Sequence, residues 1–172
     1  MSDKPRDLPT GYKIASPAAL VAMLSFFMPW VLVSCGNQPL ASFSGWDLTV
    51  GTTVTTFRGE SPVDGSPILF IALLAGLGVF VLMFFSMKTG KITKLDGWGL
   101  VSLGVISLLT IIVVILSRFQ EVSESSQGAA RVEYQYGFWG VVLGYAAVIL
   151  GGVINIMSER DVKSAIKNEH LG

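Results

Sequence analysis

Hydrophobic positions in this chain gather into four long blocks, roughly residues 16–35, 67–87, 98–117 and 138–157, with almost no ionisable side chain inside any of them. A helix rises 1.5 Å per residue, so about 20 apolar residues cross a hydrocarbon core of about 30 Å. The pattern predicts an all-α membrane protein, a four-transmembrane-helix bundle spanning residues 16–157. Polar intervals separate the blocks: an N-terminal tail (1–15), loops at 36–66, 88–97 and 118–137, and a C-terminal tail (158–172).

Local signals set the expected helix limits. Ser16-Pro17 and Ser66-Pro67 each read as an N-cap followed by a proline at the first helical position, where its missing N–H costs nothing, and Asp96-Gly97 offers a cap for the third span. Pro29 denies the Ser25 carbonyl its intrahelical donor, which predicts a bend near the end of the first span. Trp30 and Trp139 are expected at one membrane boundary and Trp98 at the other, as aromatic belts require. The 36–66 loop contains the β-branched run Asp47–Phe57, which predicts a short β-hairpin turning near Gly51. Beyond Met157, helix formers and a Glu159/Lys163 pair extend the fourth helix.

Charge adds an orientation. The net charge is zero, yet nine of the twelve Lys and Arg residues lie in the two tails and the 88–97 loop, against six acidic residues there; the other two loops carry three basic and six acidic. The positive-inside rule therefore places both termini and residues 88–97 in the cytoplasm and the 36–66 and 118–137 loops outside. A composition of 51% hydrophobic and 14% charged residues excludes an ordinary water-soluble globule.

The candidate chemistry is sparse. His170, the single histidine, lies two residues from the C-terminus, so histidine ligation of a cofactor within the membrane is not expected. Asp47, Glu60 and Asp64 match no calcium-loop spacing, and no phosphate loop, nucleophile–base pair or intramembrane carboxylate pair is present. The expectation is a non-enzyme with no catalytic residues, cofactor, metal or nucleic-acid partner.

Two features remain. Gly140, Gly144, Ala147 and Gly151 form one small-residue stripe on the fourth span, with a weaker face at Gly76 on the second; such stripes let helix backbones approach closely in lipid. The stripe receives either the protein's own first or second helix or a partner protein. Cys35 closes the string Leu32-Val33-Ser34-Cys35, which matches a bacterial lipobox, so Cys35 is a candidate lipidation site; the preceding apolar stretch exceeds a signal-peptide core, which favours a free interfacial thiol. Trp46 and Asp47 are candidate outer-surface contacts.

The segment Phe27–Cys35, followed by Ser44-Gly45-Trp46-Asp47-Leu48 and Gly51, resembles the start of small four-span bacterial membrane proteins with a Pro-Trp near the end of the first helix, a cysteine just outside and a Ser-Gly-x-Asp-Leu turn. The resemblance implies topology and a bacterial origin, and no activity. The topology is also similar to that of claudins, whose paired loop cysteines are absent here. Together these features lead to an expected accessory or scaffold subunit in the bacterial cytoplasmic membrane, contacting lipids and other integral membrane proteins. The alternative is a stand-alone homo-oligomer acting in small-molecule permeation or extracellular binding.

Overall fold

The structure, a computed structural model, describes residues 10–35, 38–56, 59–89, 94–125 and 130–169; the expected N-terminal tail up to residue 9 and His170 lie outside them. In chain order the elements are α1 (Thr10–Phe26), β1 (Pro29–Cys35), β2 (Gln38–Ser44), α2 (Gly45–Val50), β3 (Thr52–Thr56), β4 (Gly59–Val63), a 3₁₀ turn (Pro67–Leu69), α3 (Phe70–Thr89), α4 (Lys94–Ser125), β5 (Ala130–Tyr134) and α5 (Tyr136–Glu169). The protein is mostly helical, with a small sheet.

Among the described residues three helical segments are long and apolar enough to cross a membrane: Pro67–Ser86, Leu95–Ser117 and Tyr136–Ser158. They coincide with the second, third and fourth hydrophobic blocks. Their outward faces carry large apolar side chains such as Leu74, Val81, Leu109, Val113, Leu143 and Leu150, each more than half exposed, an arrangement suited to lipid and hostile to water. Hydroxyls within them bond back to their own helix, Ser107 Oγ to the Leu103 carbonyl at 2.7 Å and Ser117 Oγ to that of Val114 at 3.1 Å.

The first block departs from its expected limits at both ends. The helix starts at Thr10 and stops at Phe26, and residues 29–35 form a strand. At the start, the Gly11 N–H donates to Asn155 Oδ1 on α5 at 3.1 Å, so a helix 144 residues away caps α1 and moves its origin ahead of Ser16-Pro17. Pro17 lies inside the helix rather than at its first position. At the end, proline disfavours a helical Met28, and the chain closes with Phe27 N–H to Leu24 O and Met28 N–H to Ser25 O, both 3.2 Å. The expected bend is a termination.

Strand β1 is the centre of a three-stranded antiparallel sheet of order β2-β1-β5, with Val31 opposite Tyr134 and Cys35 opposite Ala130. The sheet thus joins the segment after α1 to the segment before α5. The hairpin expected around Gly51 is displaced: Gly45–Val50 is helical, and the hairpin is β3–β4, with Thr52 opposite Val63 and Thr56 opposite Gly59. Ser44 caps α2 through a capping box, accepting from Asp47 N–H at 3.1 Å while Asp47 Oδ2 accepts from the Ser44 N–H at 2.9 Å and hydroxyl at 2.7 Å. That reciprocal cap outweighs the β propensity of Leu48-Thr49-Val50.

Helix α1 makes the most extensive contact in the molecule, antiparallel against α5. Two buried clusters fill the space between helices. One, centred on Phe26, Trp30, Leu69, Ile111 and Tyr145, underlies the sheet; the other, with Tyr12, Ala19, Val79, Leu100 and Val148, lies towards the opposite ends of the helices.

A Cβ at Gly144 would stand 2.8 Å from Ala22 Cβ and 2.9 Å from the Ala18 carbonyl oxygen, too close for either to yield easily. Gly144→Ala is therefore expected to destabilise the fold despite the better helix propensity of alanine, and Gly144→Leu to cost about 1–3 kcal/mol or more. Leu143→Ala, on the exposed face, should leave stability nearly unchanged. Thermal unfolding in a mild detergent measures all three.

Candidate functional site

The small-residue stripe of α5 is a seam along which α1 lies. Ideal Cβ atoms built on its glycines meet α1 in sequence, Gly140 at Ser25 Oγ, Gly144 at Ala22 and Ala18, and Gly151 at the Gly11 carbonyl (2.6 Å) and Ala15 Cβ (3.0 Å), while Gly137 meets the Pro29 carbonyl (2.5 Å) just beyond the helix. Ala147, partly buried, falls between them on the same helix. Backbone approaches this close need hydrogen in place of a side chain at one partner. Gly76 on α3 faces Met23 of α1 and Tyr145 Oη, at 2.9 and 3.1 Å, whereas Gly78 faces Leu103 of α4. Of the two occupants open to the stripe from its spacing, the structure seats the protein's own first helix.

Tyr145 and Asn155 are the polar fasteners of this seam. The Tyr145 hydroxyl donates to the Ala72 carbonyl, tying α5 to α3 at depth. Asn155 is 4% exposed and caps α1. Its place one turn after Gly151, on the line of the stripe, was the signal available for that role. Asn155 Nδ2 is buried without a hydrogen-bond partner among the described residues, a position that an internal water would satisfy.

At the other end of α1 sits the joint between helices and sheet. Trp30, expected at the membrane interface, is fully buried. Its indole Nε1–H donates to the Ser25 carbonyl at 2.9 Å, the acceptor that Pro29 left without its helical donor. Its ring meets Phe26 edge-on at 5.3 Å and Phe138 at 6.3 Å. Gly45, at the start of α2, closes over it: a Cβ there would lie 2.6 Å from the indole carbons. The Trp30 carbonyl accepts from Gln135 N–H at 2.8 Å, which brings the start of α5 to the same point. One residue, through its indole and its carbonyl, thereby fixes α1, α2, β5 and α5 together.

The outer elements extend from this joint. Trp46, 39% exposed, stacks on Phe27 at 5.8 Å and meets Phe70 edge-on at 5.9 Å, so α2 rests on the ends of α1 and α3 with an aromatic face. Asp47 is occupied in the capping box rather than held out as a contact. The β3–β4 hairpin leaves α2 through a pinched base, where Gly51 (φ 86°) and Gly65 lie back to back and Ser66 N–H donates to the Leu48 carbonyl at 2.7 Å. Left-handed φ at Gly51 is a conformation that glycine adopts without strain. Cys35 is exposed at the end of β1 remote from α1 and α5, opposite Gln38 and Ala130, and it forms no disulfide.

Chemically, the arrangement holds and orients; among the described residues no group of three potential metal ligands converges. No protein-family model matches this chain, and no curated protein does.

Trp30→Phe keeps most of the ring and removes the indole donor. Because Ser25 O retains Met28 N–H, the expected cost is about 1 kcal/mol. Trp30→Ala empties the joint and should cost about 3–5 kcal/mol. The difference between the two, read by thermal unfolding, separates hydrogen bond from packing.

Proposed function

We propose that this protein is a non-catalytic accessory or scaffold subunit of a bacterial cytoplasmic-membrane complex, a four-span anchor that displays an extracytoplasmic cap. The observation that carries the reading is the Trp30 joint, which couples α2 and the β2-β1-β5 sheet rigidly to the helices. A fixed cap on a helical assembly whose interior is filled by Phe26, Trp30, Leu69, Ile111 and Tyr145 suits docking better than permeation. Since the α5 stripe is taken up by α1, partner contacts fall to the cap and the outward helix faces.

The fourth span is α1. Its 17 residues cover about 25 Å as a helix. Its contacts with α5 run from Gly140 to Asn155, most of the Tyr136–Ser158 segment, so it traverses most of the same depth. Leu20, Val21, Leu24 and Phe27, all at least half exposed, give it a lipid-facing side. With four spans both termini share one side, and the basic excess of the tails and the 88–97 loop puts that side in the cytoplasm. Trp98 and Trp139, both more than half exposed, sit at the starts of the antiparallel α4 and α5, consistent with belts at the two boundaries.

Orientation is read through the single cysteine. A membrane-impermeant maleimide added to intact spheroplasts should modify Cys35, while a cysteine introduced by Lys163→Cys in a Cys35→Ser background should react only after lysis. The reverse pattern inverts the topology, and a Cys35 that stays unmodified even after lysis, while Lys163→Cys reacts, argues for a lipidated Cys35. Extraction in mild detergent tests the accessory role: a large particle containing other membrane proteins is expected, and a particle containing only this chain rejects it.

A further inference from the structure

We infer that β3 is a self-association edge, and that two copies of this protein pair their Thr52–Thr56 strands antiparallel outside the membrane. The β3–β4 hairpin is a separate two-stranded sheet, joined to the rest through the Gly51/Gly65 base, and no strand of the three-stranded sheet pairs with it. Two-stranded hairpins are marginal in water; a third or fourth strand makes them stable.

The choice of edge follows from what blunts the others. Exposed edge strands invite pairing, and proteins guard them with prolines and charges. Strand β2 carries Pro39, β4 carries Glu60 and Pro62, and β5 carries Arg131 and Glu133. Strand β3 reads Thr-Thr-Val-Thr-Thr, five consecutive β-branched residues with neither charge nor proline. Among the described residues it is the unguarded edge.

The occupant is a second copy because this strand is complementary to itself. Antiparallel pairing about Val54 sets Val54 opposite Val54 of the other copy and threonines opposite threonines, combinations that favour a sheet and bring no like charges together. Such a contact has two-fold symmetry, the symmetry by which two copies of one chain close a dimer. The resulting order β4-β3-β3-β4 leaves a guarded β4 at each outer edge, so association closes at two. This inference does not rest on the accessory reading.

Oxidative cross-linking of the full-length protein in native membranes tests it. In a Cys35→Ser background, Val54→Cys should give a disulfide-linked homodimer on mild oxidation, verified with two differently tagged copies, while Pro62→Cys on the guarded strand should give about tenfold less. Equal yields from both positions would mean random collision and overturn the proposal, as would no dimer, or an adduct with a different protein, from Val54→Cys. In a second measurement, Val54→Lys should lower the dimer fraction of the uncross-linked protein about tenfold in detergent without changing the unfolding temperature of the helices, and Val54→Thr should preserve it. An unchanged dimer fraction in Val54→Lys excludes this edge as the contact.

Discussion

The close approach of α1 to α5 is the constraint on which the molecule depends. In lipid the hydrophobic effect does not draw helices together, so association rests on backbone proximity and a few hydrogen bonds. Here the glycines supply the proximity and Asn155 the hydrogen bond that holds the start of α1. Once α1 is seated, its other end is also placed, and the Pro29 break can hand the chain to a strand at a defined position. Trp30 then converts the carbonyl vacated by that proline into a fastening point. The cap is therefore a consequence of the seam, transmitted through one indole.

That arrangement divides labour along the chain. The candidate spans of α3 and α4 are strongly apolar and hold their place through ordinary side-chain packing, with Leu82 against Gly99 and Leu103 against Gly78. Helix α1 is shorter and carries Lys13, Ser16, Pro17 and Ser25, which makes it the member most reliant on its neighbours. The cap in turn relies on strands contributed by both outer segments, so its integrity reports on the helices beneath it.

What could be read from the chain tracks how local the governing interaction is. The spans of α3, α4 and α5 were legible because a run of about 20 apolar residues has one economical use. The stripe at Gly140, Gly144 and Gly151 was legible as a close-packing face, while its occupant was left open, because small residues define a groove without naming what fills it. The limits of α1 were misplaced because the deciding groups, Asn155 and the β5 strand, lie more than 90 residues away. The lost donor at Ser25 was visible from Pro29, but its replacement by the Trp30 indole required the tertiary fold. The α2 error was of another kind: Ser44-x-x-Asp47 is a local cap signal, and a β-branched run just beyond it drew the hairpin forward.

The seam also sets an order of assembly. Helix α1 is made before both elements that immobilise it, α5 along its length and β5 beside the strand that follows it. Through most of synthesis α1 has no glycine groove to lie in and no asparagine to cap it. Helix α1 is thus locked only after the segments between have been made, and the fold closes as a ring does, by joining α1 and β1 to β5 and α5. A chain interrupted before Gly137 would leave that ring open.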